Sequence, residues 1–174
     1  NGSFTVGFTS GFFTKDNVWH LVPRTQNSLN FNYRNKKINI FGNYNPNLNR
    51  NRSELEIKRN FYNPDKTLNA SSAQNTDFRG RNNNHSLKLG LDYYPNKNNV
   101  LGVVFTAFAF FGHPQPKTTS DILNPDNSLI SRLISVTRND ITFRNFTGNF
   151  NYKHIFDTSG RELTVDLDYV KYSN

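Results

Sequence analysis

Apolar and polar residues alternate along most of this chain with a period of two. Successive side chains of a β-strand point to opposite faces of the sheet, so this pattern predicts strands with one apolar and one polar face. The alternating segments are residues 3–9, 28–34, 38–45, 86–93, 145–153 and 162–169. A further segment, residues 100–111, is apolar on both faces and is predicted to be a strand whose inner face meets another packed element. Helical spacing is nowhere sustained, so we predict an all-β fold.

The predicted strands are connected by short and long segments in turn. The short connections, which we expect to be hairpin turns, lie near residues 35–37, 95–99 and 157–161. The long connections are polar and are expected to be loops, near residues 10–26, 46–84 and 112–141. Short turns on one rim and long loops on the other are typical of transmembrane β-barrels, in which the short rim is periplasmic.

Two of the long segments contain a similar phrase. Residues 63–68 read Asn-Pro-Asp-Lys-Thr-Leu, and residues 124–129 read Asn-Pro-Asp-Asn-Ser-Leu. Proline presets φ for the first central position of a type I turn, and aspartate follows naturally. Each phrase is therefore predicted to be a hairpin tip, and the alternation on either side of it suggests that strands continue toward the tip.

Several features favour lipid over water as the neighbour of the apolar faces. Tyr and Phe gather near the strand ends, as in interfacial aromatic girdles, and the opposite faces are rich in Asn, which suits a wet lumen. No second set of apolar faces remains to cover the first. We therefore expect antiparallel transmembrane β-barrel strands, with residues 1–174 forming one wall segment. The alternation gives an odd number of strands, whereas bacterial single-chain barrels have even numbers, so a fragment of about seven or eight strands of a larger outer-membrane barrel is expected.

The alternation also predicts which side chains meet lipid and which meet the lumen. The predicted lipid-facing residues form uninterrupted apolar faces of their strands: Leu87, Leu89, Leu91, Leu163, Val165 and Leu167. The predicted lumen-facing residues are polar and alternate with apolar positions: Asn30, Asn32, Asn43, Asn149, Asn151, Asp166 and Asp168.

Composition narrows the classes of protein that fit. The chain of 174 residues is 34% hydrophobic and 14% aromatic, and it has no Cys, so thiolate metal sites and a Cys nucleophile are excluded. The formal net charge of +8 suits a nucleic-acid binder or a protein that faces an anionic membrane surface. No apolar run approaches the roughly 20 residues of a transmembrane helix, so a helical span is not predicted.

Candidate chemistry is sparse. No nucleophile-elbow, phosphate-loop or dinucleotide motif occurs, so we do not expect an enzyme or a cofactor. No metal site is expected, because the histidines lack metal-type spacing and the Asn-Pro-Asp phrases lack the acidic ladder of a calcium loop. The four histidines are His20, His85, His113 and His154. Asp166 and Asp168 share a strand face and could act as an acid/base or cation-binding pair, but lining of a lumen is the favoured interpretation.

A basic cluster lies in the longest connection, with Phe61, Tyr62 and Phe78 nearby. Its members are Arg50, Arg52, Lys58, Arg59, Arg79 and Arg81. Basic residues interleaved with aromatics can bind single-stranded nucleic acid, but no ribonucleoprotein-type motif accompanies them. Above an outer membrane the same residues would meet lipopolysaccharide phosphates, so we expect lipopolysaccharide and outer-membrane lipid as partners and no nucleic acid.

Three stretches resemble the barrel domain of TonB-dependent receptor-like outer-membrane proteins of the Bacteroidota type. They are residues 29–44 (Leu-Asn-Phe-Asn-Tyr-Arg-Asn-Lys-Lys-Ile-Asn-Ile-Phe-Gly-Asn-Tyr), residues 83–94 (Asn-Asn-His-Ser-Leu-Lys-Leu-Gly-Leu-Asp-Tyr-Tyr) and residues 150–154 (Phe-Asn-Tyr-Lys-His). The resemblance implies a location in the bacterial outer membrane and TonB-dependent uptake of a bulky ligand. It also implies three partners: the remainder of a larger barrel, a plug domain, and TonB through an N-terminal part that this sequence does not show.

Two other functions fit the same pattern. One is a complete small outer-membrane barrel of about eight strands with a structural or adhesion role. The other is a soluble basic β-protein that binds nucleic acid or glycan. A need for detergent separates both membrane hypotheses from the soluble one.

Overall fold

The computed structural model describes residues 2–15, 18–157 and 159–174, which form one antiparallel β-sheet. The strands are β1 (Gly2–Lys15), β2 (Val18–Arg34), β3 (Ile38–Tyr62), β4 (Leu68–Asn96), β5 (Asn99–Leu123), β6 (Leu129–Val136), β7 (Ile141–Ile155) and β8 (Glu162–Ser173). Their spatial order is β1-β2-β3-β4-β5-β7-β8, and β6 pairs with the far end of β5. The prediction of an all-β antiparallel fold is confirmed. Within the described residues the sheet is open, because β1 and β8 are its two edges and do not pair with each other.

The two strands β6 and β7 are one interrupted strand. Both pair with β5 in a single continuous register, from Lys117 opposite Val136 to Gly112 opposite Ile141. Between them, Thr137 N donates to Pro116 O (3.0 Å) and Asn139 N donates to Pro114 O (3.2 Å). In an antiparallel ladder such pairs normally exchange two hydrogen bonds. Proline has no N–H, so Pro116 and Pro114 cannot donate the second bond to Thr137 and Asn139.

The missing return bonds explain the interruption at residues 137–140. If β6 and β7 are counted as one strand, the sheet has the seven strands that the alternation predicts. β6 lies in line with β7, on the other side of the two prolines of β5.

The three segments that were predicted to be long polar loops are mostly strand, so that prediction is wrong. In segment 46–84, β3 and β4 leave only residues 63–67 outside the ladder. In segment 112–141, β5 and β6 leave residues 124–128 and 137–140 outside strands. In segment 10–26, β1 and β2 pair directly, and residues 16 and 17 lie outside the described residues. The Asn-rich stretches have weak strand propensity, but pairing with a neighbouring strand gives hydrogen-bond partners to their backbone N–H and C=O groups, and this outweighs propensity.

The two Asn-Pro-Asp phrases form the tips of the long hairpins, as predicted. In the first, Lys66 N donates to Asn63 O (2.9 Å), and Asn63 N donates to Thr67 O (2.9 Å). The Asp65 carboxylate accepts bonds from the Thr67 amide (2.9 Å) and hydroxyl (2.6 Å). Lys66 closes the tip with a φ of 68°, in the left-handed region. The second tip repeats this arrangement with Asn124, Asp126, Asn127 and Ser128.

The short connections lie at the opposite end of the sheet from these tips. They occupy residues 35–37 between β2 and β3, residues 97–98 between β4 and β5, and the segment between Ile155 and Glu162. Residue 158, in the last of them, is outside the described residues. The sheet therefore has one end with short turns and one end from which the paired strands β3–β4 and β5–β6 project.

The described part of the sheet has almost no protein core. Val22, with 8% of its surface exposed, is the one hydrophobic side chain among the described residues that counts as buried, whereas many large apolar residues lie on the surface. Aromatic rings do cover glycines on neighbouring strands: the Phe31 ring lies against Gly42, and the Phe41 ring lies against Gly90. Within the described residues, no helix is long and apolar enough to cross a membrane.

Candidate functional site on the two faces of the sheet

One face of the sheet carries a continuous apolar surface, which we call the apolar face. Directly opposed residues of an antiparallel ladder lie on the same face, and one such row crosses the sheet as Ile40, Leu91, Val103, Phe150 and Leu167. The six residues predicted to meet lipid all lie on this face: Leu87, Leu89, Leu91, Leu163, Val165 and Leu167. Most of them are substantially exposed, Leu167 by 61%.

The apolar face has a defined height. Along β3 it runs from Ile38 to Leu48, which is ten residue steps. At about 3.3 Å per residue this is roughly 33 Å along the strand, and a strand tilt of about 40° would reduce it to roughly 25 Å. Tyr93 and Tyr152 lie in its lowest row beside Ile38, and Tyr44 lies four residues below Leu48. On β3 this height matches the lipid-facing belt of an outer-membrane barrel, whereas on β4 the same face carries His85 and Asn83 in the two upper rows.

The opposite face, which we call the polar face, carries all the residues predicted to meet a lumen. They occupy neighbouring rows at the same height as the apolar band: Asn30, Asn32, Asn43, Asn149, Asn151, Asp166 and Asp168. Asn149 donates to the Asp168 carboxylate (2.8 Å), and Asn151 donates to Asn149 Oδ1 (3.3 Å). Amides that bond to carboxylates and to one another retain further donors and acceptors for water. This face is therefore suited to contact with water.

Above Leu48 the apolar face changes abruptly to arginine. Arg50 lies directly opposite Arg81, and Arg52 lies directly opposite Arg79. Four arginines thus occupy two consecutive rows on the side of the sheet that carries the apolar band. We call these residues the arginine rows.

Asp77 forms ion pairs with both arginines of the upper row, Arg52 and Arg79. Its carboxylate accepts two bonds from the Arg52 guanidinium (3.2 and 3.0 Å) and two from Arg79 (3.1 and 2.8 Å). Burial on its own would raise the pKa of Asp77, but hydrogen bonds and positive charge from Arg79 and Arg52 outweigh it and hold the pKa below its ordinary value. The Arg52 side chain is 12% exposed and that of Asp77 10%, so this is a nearly buried ion pair.

The stability of the projecting β3–β4 hairpin should fall in acid through Asp77. Its pKa is lower in the folded state than the ordinary 3.8, so its stabilising contribution is complete above that pH and is lost as pH falls through the folded-state value. Amide hydrogen exchange at residues 52–58 and 73–79 should therefore accelerate between about pH 5 and about pH 2, beyond the intrinsic pH dependence of exchange. In the variant Asp77→Asn this additional step should be absent; a step of equal size in the variant would assign it to another group.

The basic cluster that the sequence suggested is divided by the structure. Arg50, Arg52 and Lys58 lie on the side of the apolar face, whereas Arg59 lies on the polar face because it is an odd number of residues away from them. The sequence reasoning missed Asp77. Arginines at alternate positions in both stretches, 50 and 52 and then 79 and 81, were the available signal that these residues are strand and share a face.

The histidines make ordinary polar contacts. His85 Nδ1 pairs with the Tyr44 hydroxyl (2.8 Å), His113 Nδ1 with Asp140 (2.6 Å), and His154 Nδ1 with Asn99 (2.8 Å). Within the described ranges, His, Asp and Glu do not gather in groups of three or more that could hold a metal ion.

Neither the comparison with protein-family models nor the comparison with curated proteins found a match for this chain.

Proposed function

We propose that this chain forms part of the wall of a bacterial outer-membrane β-barrel of the TonB-dependent receptor type. The apolar face lies against lipid, and the polar face lines the inside of the barrel. The short turns lie at the periplasmic rim, and the paired strands β3–β4 and β5–β6 project from the outer surface.

The proposal rests on one observation: the apolar surface and the Asn-rich surface lie back to back, at the same level on opposite faces of the sheet. Leu89 and Leu91 on the apolar face lie at the same level of the sheet as Asn43 and Asn149 on the polar face. A soluble sheet would bury its apolar face under a second layer of protein, and no such layer is present among the described residues. Lipid covers the apolar face without that layer, and water in a lumen covers the polar one.

The two edge strands of the sheet, β1 and β8, need further strands beside them in a membrane. The outer sides of β1 and β8 carry unpaired N–H and C=O groups within the described residues. Each such group costs several kcal/mol in hydrocarbon, so a sheet with free edges does not persist in a bilayer. Further strands therefore pair with β1 and β8 and close the barrel around a lumen wider than these residues alone would enclose.

The transport role rests on the sequence resemblance. Proteins of that type take up bulky ligands through a barrel that holds a plug domain and is energised by TonB. On this proposal, Asn30, Asn32 and Asn43 face water or the plug, and the chain contributes a wall and no catalytic group. TonB would act through a part of the protein other than these residues.

The open sheet weakens the hypothesis of a complete small barrel, because the described residues of β1 and β8 do not meet. One observation favours an additional adhesion role for the same wall. The β3–β4 ladder continues for fourteen residues beyond Leu48, to Tyr62, which is roughly 45 Å of paired strand outside the apolar band.

A dependence on detergent tests the proposal against a soluble β-protein. We expect the full-length gene product to fractionate with the outer membrane, to resist extraction by alkaline carbonate, and to precipitate when detergent is removed. A monodisperse protein in plain buffer, with the sheet content retained, would contradict the membrane assignment.

A further inference from the structure

We propose that the arginine rows bind the phosphate of a lipid headgroup in the outer leaflet, with the acyl chains of that lipid lying on the apolar band. This inference rests on the proposed function and assigns a specific ligand to the outer border of the lipid-facing surface.

The upper arginine row, Arg52 and Arg79, has a carboxylate partner in Asp77, whereas the lower row, Arg50 and Arg81, has none among the described residues. Arg50 and Arg81 nevertheless lie directly opposite each other. Like charges in directly opposed positions destabilise a sheet. An anion bound between the two guanidiniums would attract both of them and so offset their mutual repulsion.

Phosphate fits this position better than a carboxylate or a halide. Each guanidinium can offer two parallel N–H donors, and a phosphate has enough oxygens to accept from both arginines at once. His113 lies next to Arg81 in the same row, and Gln115 lies next to Arg79, so two further polar side chains border the site.

The shape of the sheet provides space for a headgroup. The ladder between β2 and β3 ends at the pair Arg24 and Asn49, while β3 continues upward with β4. The separation of the strands leaves an open cavity of about 310 Å³. It is lined by the four arginines of the rows, His113 and Gln115 on one side and by His20, Leu21 and Val22 of β2 on the other.

The surroundings of the cavity indicate a lipid and not a free anion. Leu48 lies two positions before Arg50 on the same face, and it is 49% exposed. Phe111 lies in the same row as Leu48, with Asn83 of β4 between them, and Ala109 and Leu87 lie one and two rows below. A molecule with its phosphate between Arg50 and Arg81 therefore has its next atoms over an exposed apolar surface. Only an amphiphile gains from both contacts.

Lipid retention by the full-length gene product tests the site. The protein is placed in phosphatidylcholine nanodiscs that contain either bisphosphorylated lipid A or the same lipid A after enzymatic removal of its phosphates, and co-purifying lipid A is measured by native mass spectrometry. We expect retention of the phosphorylated form, and roughly tenfold weaker retention in the double variant Arg50→Gln/Arg81→Gln. The matched control is Lys88→Gln/Arg59→Gln, which removes two charges from the polar face, where Lys88 lies opposite Asn43. This variant should retain lipid A like the unaltered protein.

The outcomes separate this inference from the proposed function. Insertion of all variants into nanodiscs without preference for phosphorylated lipid A, or with equal loss in the control variant, would overturn the headgroup site and leave the barrel wall intact. Failure of the unaltered protein to enter nanodiscs would overturn both. Full competition by inorganic phosphate would show a site for a free anion, and tight binding of a single-stranded oligonucleotide through Arg50 and Arg81 would show a nucleic-acid site; either result overturns the lipid assignment.

Discussion

Replacing Leu89 with arginine should lower the free energy of unfolding in a bilayer by about 2 to 4 kcal/mol. Leu89 lies opposite Gly42 and Phe105, near the middle of the apolar band, and it is 39% exposed. If that face meets lipid, the variant places a guanidinium near the bilayer midplane, where it can be hydrated only by distorting the membrane. Denaturant unfolding of the full-length gene product in lipid vesicles measures the difference.

The control for this experiment is Asn149→Arg, which adds the same side chain on the polar face at almost the same height. Asn149 lies opposite Asp168, so the new charge has a partner and water around it, and we expect a change below about 1 kcal/mol. Equal effects of the two substitutions would contradict the assignment of one face to lipid and the other to a lumen. A change near zero for Leu89→Arg would remove the lipid-facing assignment of β4.

The second large effect is expected at Asp77. Asp77→Ala removes the carboxylate that pairs with Arg52 and Arg79 and leaves the nearly buried Arg52 guanidinium without that partner. Removing one member of a buried pair is strongly destabilising because the remaining charge stays desolvated. We expect the β3–β4 hairpin to lose about 3 kcal/mol, measured as faster amide hydrogen exchange in residues 52–58 and 73–79.

Asp121→Ala is the matched control for Asp77. Asp121 forms a similar two-pronged pair with Arg132 (2.6 and 2.8 Å), but the Arg132 side chain is 52% exposed. Water replaces the lost partner there, so the expected acceleration of exchange is much smaller than at Asp77. A cost at Asp77 no larger than that at Asp121 would show that burial does not strengthen the Asp77 cluster.

Much of the fold could be predicted because period-two alternation determines the face of each side chain. The six apolar and seven polar candidates were assigned to opposite faces from spacing alone, and the strand registers place them so. The extent of the strands could not be predicted in the same way. Segments rich in Asn and Arg lack alternation of apolar residues, and their pairing depends on a partner strand that a local pattern does not reveal. The break before β7 arises because Pro114 and Pro116 lack an N–H on the side of β5 that faces residues 137–140. Which neighbour a strand residue faces depends on the paired sheet, so the local sequence does not reveal it.

The candidate site was predictable only in part. The excess of positive charge in the longest connection was visible, but it was interpreted as a loop, so the pairing of Arg50 with Arg81 could not be anticipated. The compensating role of Asp77 requires the register between β3 and β4, since Asp77 is 25 residues away from Arg52 in the sequence. A register of that kind is fixed by the turn at residues 63–67 and by the continuous ladder below it.

A spin-label accessibility scan along β8 in a lipid bilayer tests the central claim most directly. Single cysteines at positions 163 to 168 of the full-length gene product would carry the label, and collision rates would be measured with oxygen, which concentrates in lipid, and with a water-soluble nickel chelate. The account predicts period-two behaviour, with oxygen access highest at Leu163, Val165 and Leu167 and nickel access highest at Thr164, Asp166 and Asp168, since these sets occupy opposite faces of the sheet. High nickel access at all six positions, or alternation with the two sets exchanged, would contradict it.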